Sequence, residues 1–285
     1  MIKITKYFFE AFFVYLFFIF SKLIGIHLSR KIFSQIFIRI GPFIKKSKII
    51  NKNLIKFPKK LSDQDKKKLI SNMWSNYGMT FIEYIFLKKF RRENSHIKIK
   101  GEKILDEIYS NNNVVIFVSG HFANFELMSM EITKKKIKLA TIYRPLNNFF
   151  LNPFVEYLRK KFICKNQIKK GRIGVKDSIK FINNKHSIAL MIDQRVSEGD
   201  KIEFFNTEAY TTTLPAQLAL KYNLNIVPIH IERKKNNFFE MEVFKPLDIS
   251  KYKNKLEISK KLNQILEEMI IRNPSQWIWT HDRWK

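Results

Sequence analysis

The sequence predicts an α/β domain with a mostly parallel central sheet covered by helices, and a hydrophobic N-terminal helix that anchors it to a membrane. A phenylalanine-rich run opens the chain, and short β-branched runs bounded by turn residues recur after it, separated by helical stretches. Strands that alternate with helices are typical of a parallel sheet with both faces covered. We expect residues 1–30 to form the anchor and residues 31–285 to form a single α/β domain.

The composition excludes several classes of protein. The chain has 285 residues, 45% of them hydrophobic, which is enough for a sizeable core and unlike a disordered or collagen-like chain. A formal charge of +28, from 53 basic and 25 acidic residues, favours polyanionic partners such as anionic lipid, an acidic protein or nucleic acid. A general lysine-rich bias of the chain explains this charge equally well.

Few residues are available as metal ligands. Cys164 is the one cysteine, so an intramolecular disulfide and a cysteine-based zinc site are excluded, and a reducing compartment is indicated. No glycine-rich nucleotide-binding motif occurs. We therefore expect neither a metal nor a cofactor. The histidines without an acidic or cysteine partner at ligand spacing are His27, His96, His186 and His230.

The N-terminal run, residues 7–20, reads YFFEAFFVYLFFIF, and Glu10 is its one charged position. It is shorter than the roughly 20 residues that span a bilayer. No convincing small-residue cleavage site follows it, so we expect it to be retained. A membrane anchor, inserted or lying in the interface, and a buried helix of the fold both remain open. Five phenylalanines in ten residues without a polar face favour the anchor.

Basic residues flank this run on both sides, with the larger block after it. That asymmetry puts the main domain on the cytoplasmic side of the membrane. Lys3 and Lys6 precede the run, and Arg30, Lys31, Arg39, Lys45, Lys46 and Lys48 follow it.

The body of the chain alternates between two patterns. Residues 61–90 carry apolar side chains at helical spacing, and Ser62 suits a helix start. The run VVIFVS at 114–119 is typical of a buried strand. A run at 238–244 follows a Lys-Lys-Asn-Asn turn and predicts a strand antiparallel to its predecessor. Further strands are predicted at 138–143, 187–192 and 225–231, and helices at 152–161, 175–183, 214–222 and 255–271.

A candidate catalytic pair follows the first buried strand, where VSGHFANFELMSME contains His121 and Glu126. This edge of an α/β sheet is where ligands bind. Histidine exchanges a proton near neutral pH, and a carboxylate can fix its tautomer. On a regular helix a spacing of five separates two side chains by about 140°, so the pair converges only if the loop is non-helical, as Gly120 permits. Taken alone, the spacing fits a capping histidine and a solvated glutamate better.

Motifs along the chain change that balance. SGHFANFE resembles the H-x4-D/E motif of glycerolipid and lipid A acyltransferases, and specifically of the bacterial lipid A biosynthesis lauroyl/myristoyl acyltransferase family. Four further blocks follow in the order of that family, and the resemblance runs from about Tyr7 to the last residue. These blocks are TIYRPLNN at 141–148, GRIGVKDSIKFI at 171–182 with MIDQ at 191–194, FFNTEAYTTTLPAQLAL at 204–220, and NPSQWIWTHDRWK at 273–285.

The resemblance implies an acyltransferase. Its acyl donor would be acyl carrier protein, and its acceptor a hydroxyl of a lipid A precursor at the cytoplasmic face of the bacterial inner membrane, whose lipids the enzyme would contact. His121 would deprotonate the acceptor hydroxyl and Glu126 would hold the imidazole, with no covalent acyl-enzyme. Cys164 would be structural or incidental.

The resemblance also suggests residues that bind substrate. Arg144 would suit a phosphate of the acceptor or the oxyanion, because guanidinium binds such groups bidentately. Asp193 and Gln194 end another strand at the same edge, and Asp193 could pair with Arg144 or His121, or cap the next turn. The tail around His281 would serve structural closure or headgroup contact rather than proton transfer.

Two other functions remain open. An enzyme of the same fold could act on another glycolipid or an aminolipid. A non-catalytic basic protein that binds membranes or nucleic acid would explain the charge, but it leaves the ordered motifs unexplained. No RNP-type, zinc-finger or helix-turn-helix pattern occurs, so we expect no nucleic-acid partner.

Overall fold

A seven-stranded sheet forms the centre of the protein in the computed structural model, which describes residues 2–44 and 47–285. The two other strands of this described part form a separate hairpin. The strands are β1 (Ile97–Lys100), β2 (Ile116–Ser119), β3 (Leu139–Tyr143), β4 (Asn166–Lys169), β5 (Ser187–Met191), β6 (Asp200–Phe204), β7 (Thr207–Thr211), β8 (Ile226–Arg233) and β9 (Phe239–Val243).

The sheet has the strand order β1-β9-β8-β2-β5-β3-β4. Strands β8, β2, β5, β3 and β4 run parallel to one another, which confirms the mostly parallel sheet. Strand β9 is antiparallel to β8, as predicted, and β1 runs parallel to β9 at the edge. The strands β1 and β4 and the β6–β7 hairpin were not predicted from the sequence. These strands mix polar with apolar residues and are only partly buried, so they lack a continuous apolar run.

Helices cover both faces of the sheet, since alternate side chains of β2 lie in two different cores. Val118 packs in one core with Leu266, and Phe117 packs in the other with Leu127. The predicted helix at 214–222 is confirmed, and the one at 152–161 ends as a helix at 158 and continues as a π-helical turn, Arg159–Ile163. The helices are α1 (Ile2–Ile44), α2 (Ser47–Leu54), α3 (Asp63–Glu83), α4 (Leu87–Arg92), α5 (Glu102–Ser110), α6 (Glu126–Lys134), α7 (Asn152–Leu158), α8 (Arg172–Asn183), α9 (Leu214–Tyr222) and α10 (Lys255–Arg272).

The apolar N-terminus forms the first half of α1. Within the described residues, Lys3–Phe43 is the one helical stretch long and apolar enough to cross a membrane, with a mean hydropathy of 2.0. The helix bends at Gly25, whose φ of +77° suits glycine, and continues past the expected boundary at residue 30. The basic residues Lys45 and Lys46 lie outside the described residues.

The first half of α1 has two unlike faces. Ala11 and Phe18 are buried against the body, whereas Phe9, Phe13 and Ile19 are each more than half exposed. An exposed apolar face of this length is unusual on a protein surface and makes α1 a candidate membrane anchor.

Candidate active site

Strand pairing brings His121 beside Asp193. Strands β2 and β5 are adjacent and parallel, and Ser119 is paired with Met191. His121 and Asp193 each lie two residues further on, beyond the carboxyl ends of the two strands, so they face each other across the same edge. His121 Nδ1 lies 2.7 Å from Asp193 Oδ1, and the His121 backbone N–H donates to Asp193 Oδ2 at 2.8 Å. Among the pairings that the sequence left open for Asp193, the structure has the one with His121.

The environment keeps Asp193 ionised. Burial by itself would raise the pKa of this carboxyl, but the neighbouring His121, by its charge and its hydrogen bonds, and the Trp277 indole N–H outweigh burial and lower the pKa to about 2. The indole N–H of Trp277 donates to Asp193 Oδ2 at 2.9 Å. Because an ionised carboxylate only accepts, the His121 proton belongs on Nδ1, and Nε2 is left as the basic nitrogen.

Glu126 has different partners from those expected. Its Oε1 accepts from Arg159, from Nε at 2.8 Å and from Nη2 at 2.5 Å, and also accepts a short hydrogen bond from the Tyr84 hydroxyl. Burial by itself would lower the pKa of the Arg159 guanidinium, but the charge of Glu126 and the hydrogen bonds to Glu126 and Tyr84 outweigh burial and raise the pKa. The imidazole of His121 is therefore held by Asp193 and not by Glu126. Asp193 reaches His121 because it follows β5, which is paired in register with the β2 strand that precedes His121. Glu126 instead begins α6.

A cavity of about 400 Å³ opens at this edge of the sheet. His121, Glu126, Arg144 and Gln194 all line it, so the structure brings these predicted residues together, with Asp193 behind His121. The further polar residues that line it are Ser129, Thr141, Tyr143, Asn147, Arg159, Gln167, Lys170, Thr212 and His281.

The cavity has a cationic rim. Arg144 follows β3, is exposed, and has no hydrogen bond or ion pair from its side chain to the described residues. Burial, together with the positive charge of Arg144, lowers the pKa of the neighbouring Lys170 ammonium. Two cations that repel each other at a cavity mouth suit an anionic group between them.

The loop between His121 and Glu126 is held by hydrogen bonds from its main chain and from Asn124. Ala123 adopts a positive φ of 43°, and its backbone N–H donates to Gln276 O at 3.0 Å while its carbonyl accepts from Thr80 Oγ1 at 3.0 Å. Asn124 Nδ2 donates to Glu83 Oε2 at 2.8 Å. The loop conformation is thus fixed by contacts with α3 and the C-terminal tail.

Glu83 is the centre of a buried ionic network. Arg30 of α1 donates to Glu83 from Nε at 2.6 Å, and Arg233 of β8 donates from Nη1 at 2.5 Å. Burial by itself would raise the pKa of this carboxyl, but the two guanidinium groups outweigh it and lower the pKa. The network joins the N-terminal helix, the sheet and the loop that carries His121.

The C-terminal tail closes the site from the other side. The Arg283 guanidinium is buried and donates to Tyr210 O at 2.8 Å and Thr211 Oγ1 at 2.7 Å. Burial lowers the pKa of Arg283 to about 10. His281, in the same tail, reaches the cavity itself.

Sequence reasoning missed Arg159, Lys170 and Trp277 as parts of the site. Arg159 and Lys170 lie in lysine-rich stretches with no local motif, so nothing in their neighbourhood distinguished them.

Cys164 is buried, does not line the cavity, and has a pKa raised by burial, as suits a structural thiol. Within residues 2–44 and 47–285, no group of three or more His, Cys, Asp or Glu could hold a metal ion.

A histidine held by a buried carboxylate beside a cavity, at the carboxyl edge of a parallel sheet, defines an α/β enzyme, here with an apolar N-terminal helix. Comparison with known proteins defines which kind. The chain belongs to the bacterial lipid A biosynthesis acyltransferase family, whose model matches residues 1–285. The resemblance seen in the sequence motifs is confirmed, and the protein is an acyltransferase.

Individual relatives are distant but are matched over most of their length. Lipid A biosynthesis acyltransferase 2 of Shigella flexneri is 24% identical over 234 residues, which cover 78% of this chain and 72% of that protein. The lipid A biosynthesis lauroyltransferase of Escherichia coli K12 is 22% identical over 85% of this chain and 79% of its own length. The myristoyltransferase of the same strain is 21% identical over 85% and 75%.

Proposed function

We propose that the protein transfers a fatty acyl chain from the thioester of acyl carrier protein to a hydroxyl group of a lipid A precursor, with His121 as the general base. The observation that carries this is the 2.7 Å contact between His121 Nδ1 and Asp193 Oδ1 beside the cavity. The names of the relatives support lipid A biosynthesis as the setting. The net charge of +28 supports acyl carrier protein as the acyl donor, because a basic surface favours an acidic protein.

The chemistry follows from the tautomer of His121. Nε2 takes the proton of the acceptor hydroxyl, and the oxygen attacks the thioester carbonyl carbon while the carbonyl electron pair moves onto its oxygen. When that pair returns, the C–S bond breaks and the thiolate leaves with the proton from His121. The ionised Asp193 stabilises the imidazolium formed between the two steps. The ester bond replaces the thioester bond, and no acyl-enzyme forms.

Glu126 acts in this scheme as a positioning residue. Its carboxylate holds the Arg159 guanidinium and the Tyr84 hydroxyl at the wall of the cavity. The side chain of Glu126 is 8% exposed and that of Arg159 12%, so the pair is largely desolvated. Removing the carboxylate would leave a buried cation beside the reacting groups.

The rim binds the acceptor. Arg144 and Lys170 are available for a phosphate of the lipid A precursor, since guanidinium and ammonium groups bind phosphate oxygens strongly. Gln194 lines the same cavity and supplies an amide for hydrogen bonds to the sugar or to an acyl oxygen. Asp193 serves this site through His121 rather than through direct contact with the acceptor.

The enzyme works at the cytoplasmic face of the inner membrane, with α1 lying in the lipid interface. The body forms hydrogen bonds with the first half of α1 at two positions, Tyr7 and Tyr15. Asn148 Nδ2 donates to Tyr7 O at 2.9 Å, and Tyr15 OH donates to Phe150 O at 2.9 Å. A helix attached along its length to a polar body does not stand free across a bilayer.

In the proposed orientation the cavity mouth lies at the lipid surface. The loop 146–150, which is attached to α1, begins at the cavity, where Leu146 is a lining residue. Phe149 in this loop is 52% exposed, next to the exposed apolar face of α1. An acceptor lipid could therefore enter from the membrane, with its headgroup at the cationic rim.

The test is transfer from labelled acyl carrier protein to a tetra-acylated lipid A precursor, with membranes that contain wild-type protein, His121→Ala or His186→Ala. His186 is half-buried, does not line the cavity and lies just before the amino end of β5, so it is the matched control. We expect His121→Ala to lose at least about a thousandfold in rate and His186→Ala to remain active. Full activity of His121→Ala would refute the mechanism, and no transfer by folded wild type would favour another glycolipid or an aminolipid as the acceptor.

A further inference from the structure

The segment after β5 forms hydrogen bonds with two imidazoles, accepting from one and donating to the other. Asp193 accepts from His121, and two residues later the backbone N–H of Arg195 donates to His281 Nε2 at 2.9 Å. Both histidines line the same cavity. His121 thus presents an acceptor nitrogen to the cavity, and the second imidazole is held in a different state.

The Arg195 contact determines the tautomer of His281. A backbone amide can only donate, so Nε2 must be the unprotonated nitrogen, and the ring proton of the neutral form lies on Nδ1. Burial, reinforced by the positive charges of His121, Arg283 and Lys170, lowers the pKa of His281 although Asp193 opposes this. The ring is therefore a neutral donor through Nδ1–H at neutral pH.

His281 is also rigidly placed. Its backbone carbonyl accepts from Asn53 Nδ2 at 2.6 Å, and the tail on either side of it is held by buried Trp279 and Arg283. Nδ1 has no hydrogen-bond partner among the described residues. A fixed donor that lines the same cavity as the general base and has no acceptor among the described residues is suited to stabilise a negative charge formed during a reaction.

We propose that the Nδ1–H of His281 donates a hydrogen bond to the thioester carbonyl oxygen as that oxygen gains negative charge. The inference rests on the proposed function and adds a catalytic residue to it. The proton stays on Nδ1 throughout, and the electron pair on the oxygen returns to the carbonyl when the C–S bond breaks. Arg144, exposed at the rim, is then left for the acceptor phosphate.

Two conservative variants separate this role from a structural one. His281→Gln places an amide at the position of Nε2, where its oxygen can still accept from Arg195, but it has no donor at the position of Nδ1. His281→Asn places an amide N–H at the position of Nδ1 and loses the contact with Arg195. A merely structural role requires Gln to be the better replacement, and the proposed role requires Asn.

The experiment measures kcat and donor KM for the full-length protein in membranes, with thermal unfolding of each variant. We expect His281→Gln to unfold close to wild type and to lose about 10²- to 10³-fold in kcat, and His281→Asn to retain more of kcat despite a lower Tm. A kcat for His281→Gln equal to or above that of His281→Asn overturns the proposal. Transfer by wild type in that case leaves the proposed function intact, whereas no transfer by wild type overturns both.

Discussion

Asp193 accepts two hydrogen bonds from His121, one from the ring and one from the backbone, because the two residues stand at equivalent positions beyond paired strands. The backbone bond attaches the histidine main chain to the same carboxylate that orients its ring. The base and its partner are therefore held to each other at two points, at the edge where the paired strands β2 and β5 end.

Asp193→Asn should lower kcat by about 10²- to 10⁴-fold with little change in the fold. An asparagine of the same shape does not stabilise the imidazolium and can favour the wrong tautomer of His121. Steady-state transfer assays check this, with Asp63→Asn as the control because that side chain is 92% exposed. Equal rates for the two variants would show that Asp193 does not orient the base.

The same carboxyl makes stability depend on pH. Its pKa falls from 3.8 to about 2 on folding, so its contribution is fully present above pH 3.8 and is lost as the pH falls toward 2. A shift of this size corresponds to about 2 kcal/mol. Unfolding free energies measured from pH 6 to pH 2 should fall less steeply for Asp193→Asn than for wild type, and parallel curves would contradict the assignment.

Glu126→Gln should reduce transfer less than Asp193→Asn does, because Glu126 touches Arg159 and not His121. It should also destabilise the protein by about 3–5 kcal/mol, since it leaves the largely buried Arg159 cation without its counter-charge. Comparing kcat with the free energy of unfolding for both variants checks this. A larger loss of kcat for Glu126→Gln than for Asp193→Asn would indicate that Glu126 acts directly in catalysis.

Glu83→Gln should cost about 3–5 kcal/mol of stability, because it leaves Arg30 and Arg233 buried with reduced compensation. Glu93→Gln is the matched control, since Glu93 pairs with Lys89 on the surface and both side chains are 47% exposed. That change should cost at most about 1 kcal/mol. Chemical denaturation of both variants in the same detergent measures these losses in the free energy of unfolding. Similar losses for the two variants would mean that the Glu83 network contributes little.

Phe149→Trp should report contact with lipid. In vesicles of phosphatidylethanolamine and phosphatidylglycerol, brominated acyl chains should quench the added tryptophan. Tyr109→Trp, at an exposed position on α5, is the control and should be quenched no more than the native tryptophans. Equal quenching of the two variants would argue against the loop 146–150 as a membrane contact.

The fold class, the central strands and the candidate base could all be predicted from consecutive residues. Buried strands such as β2 and β5 need continuous β-branched or aromatic runs, and these are visible in consecutive residues. His121 was found in the same way, because it directly follows such a strand. The candidate anchor was found in the same way, since an apolar run long enough to reach into lipid is visible in consecutive residues.

The carboxylate that holds His121 could be identified only from the folded chain. Glu126 is five residues away in sequence, whereas Asp193 is 72 residues away and arrives through the pairing of β2 with β5. The same holds for His281, whose tautomer depends on a backbone amide 86 residues distant. Strand order and register place such groups together, and neither is encoded in the residues adjacent to the site.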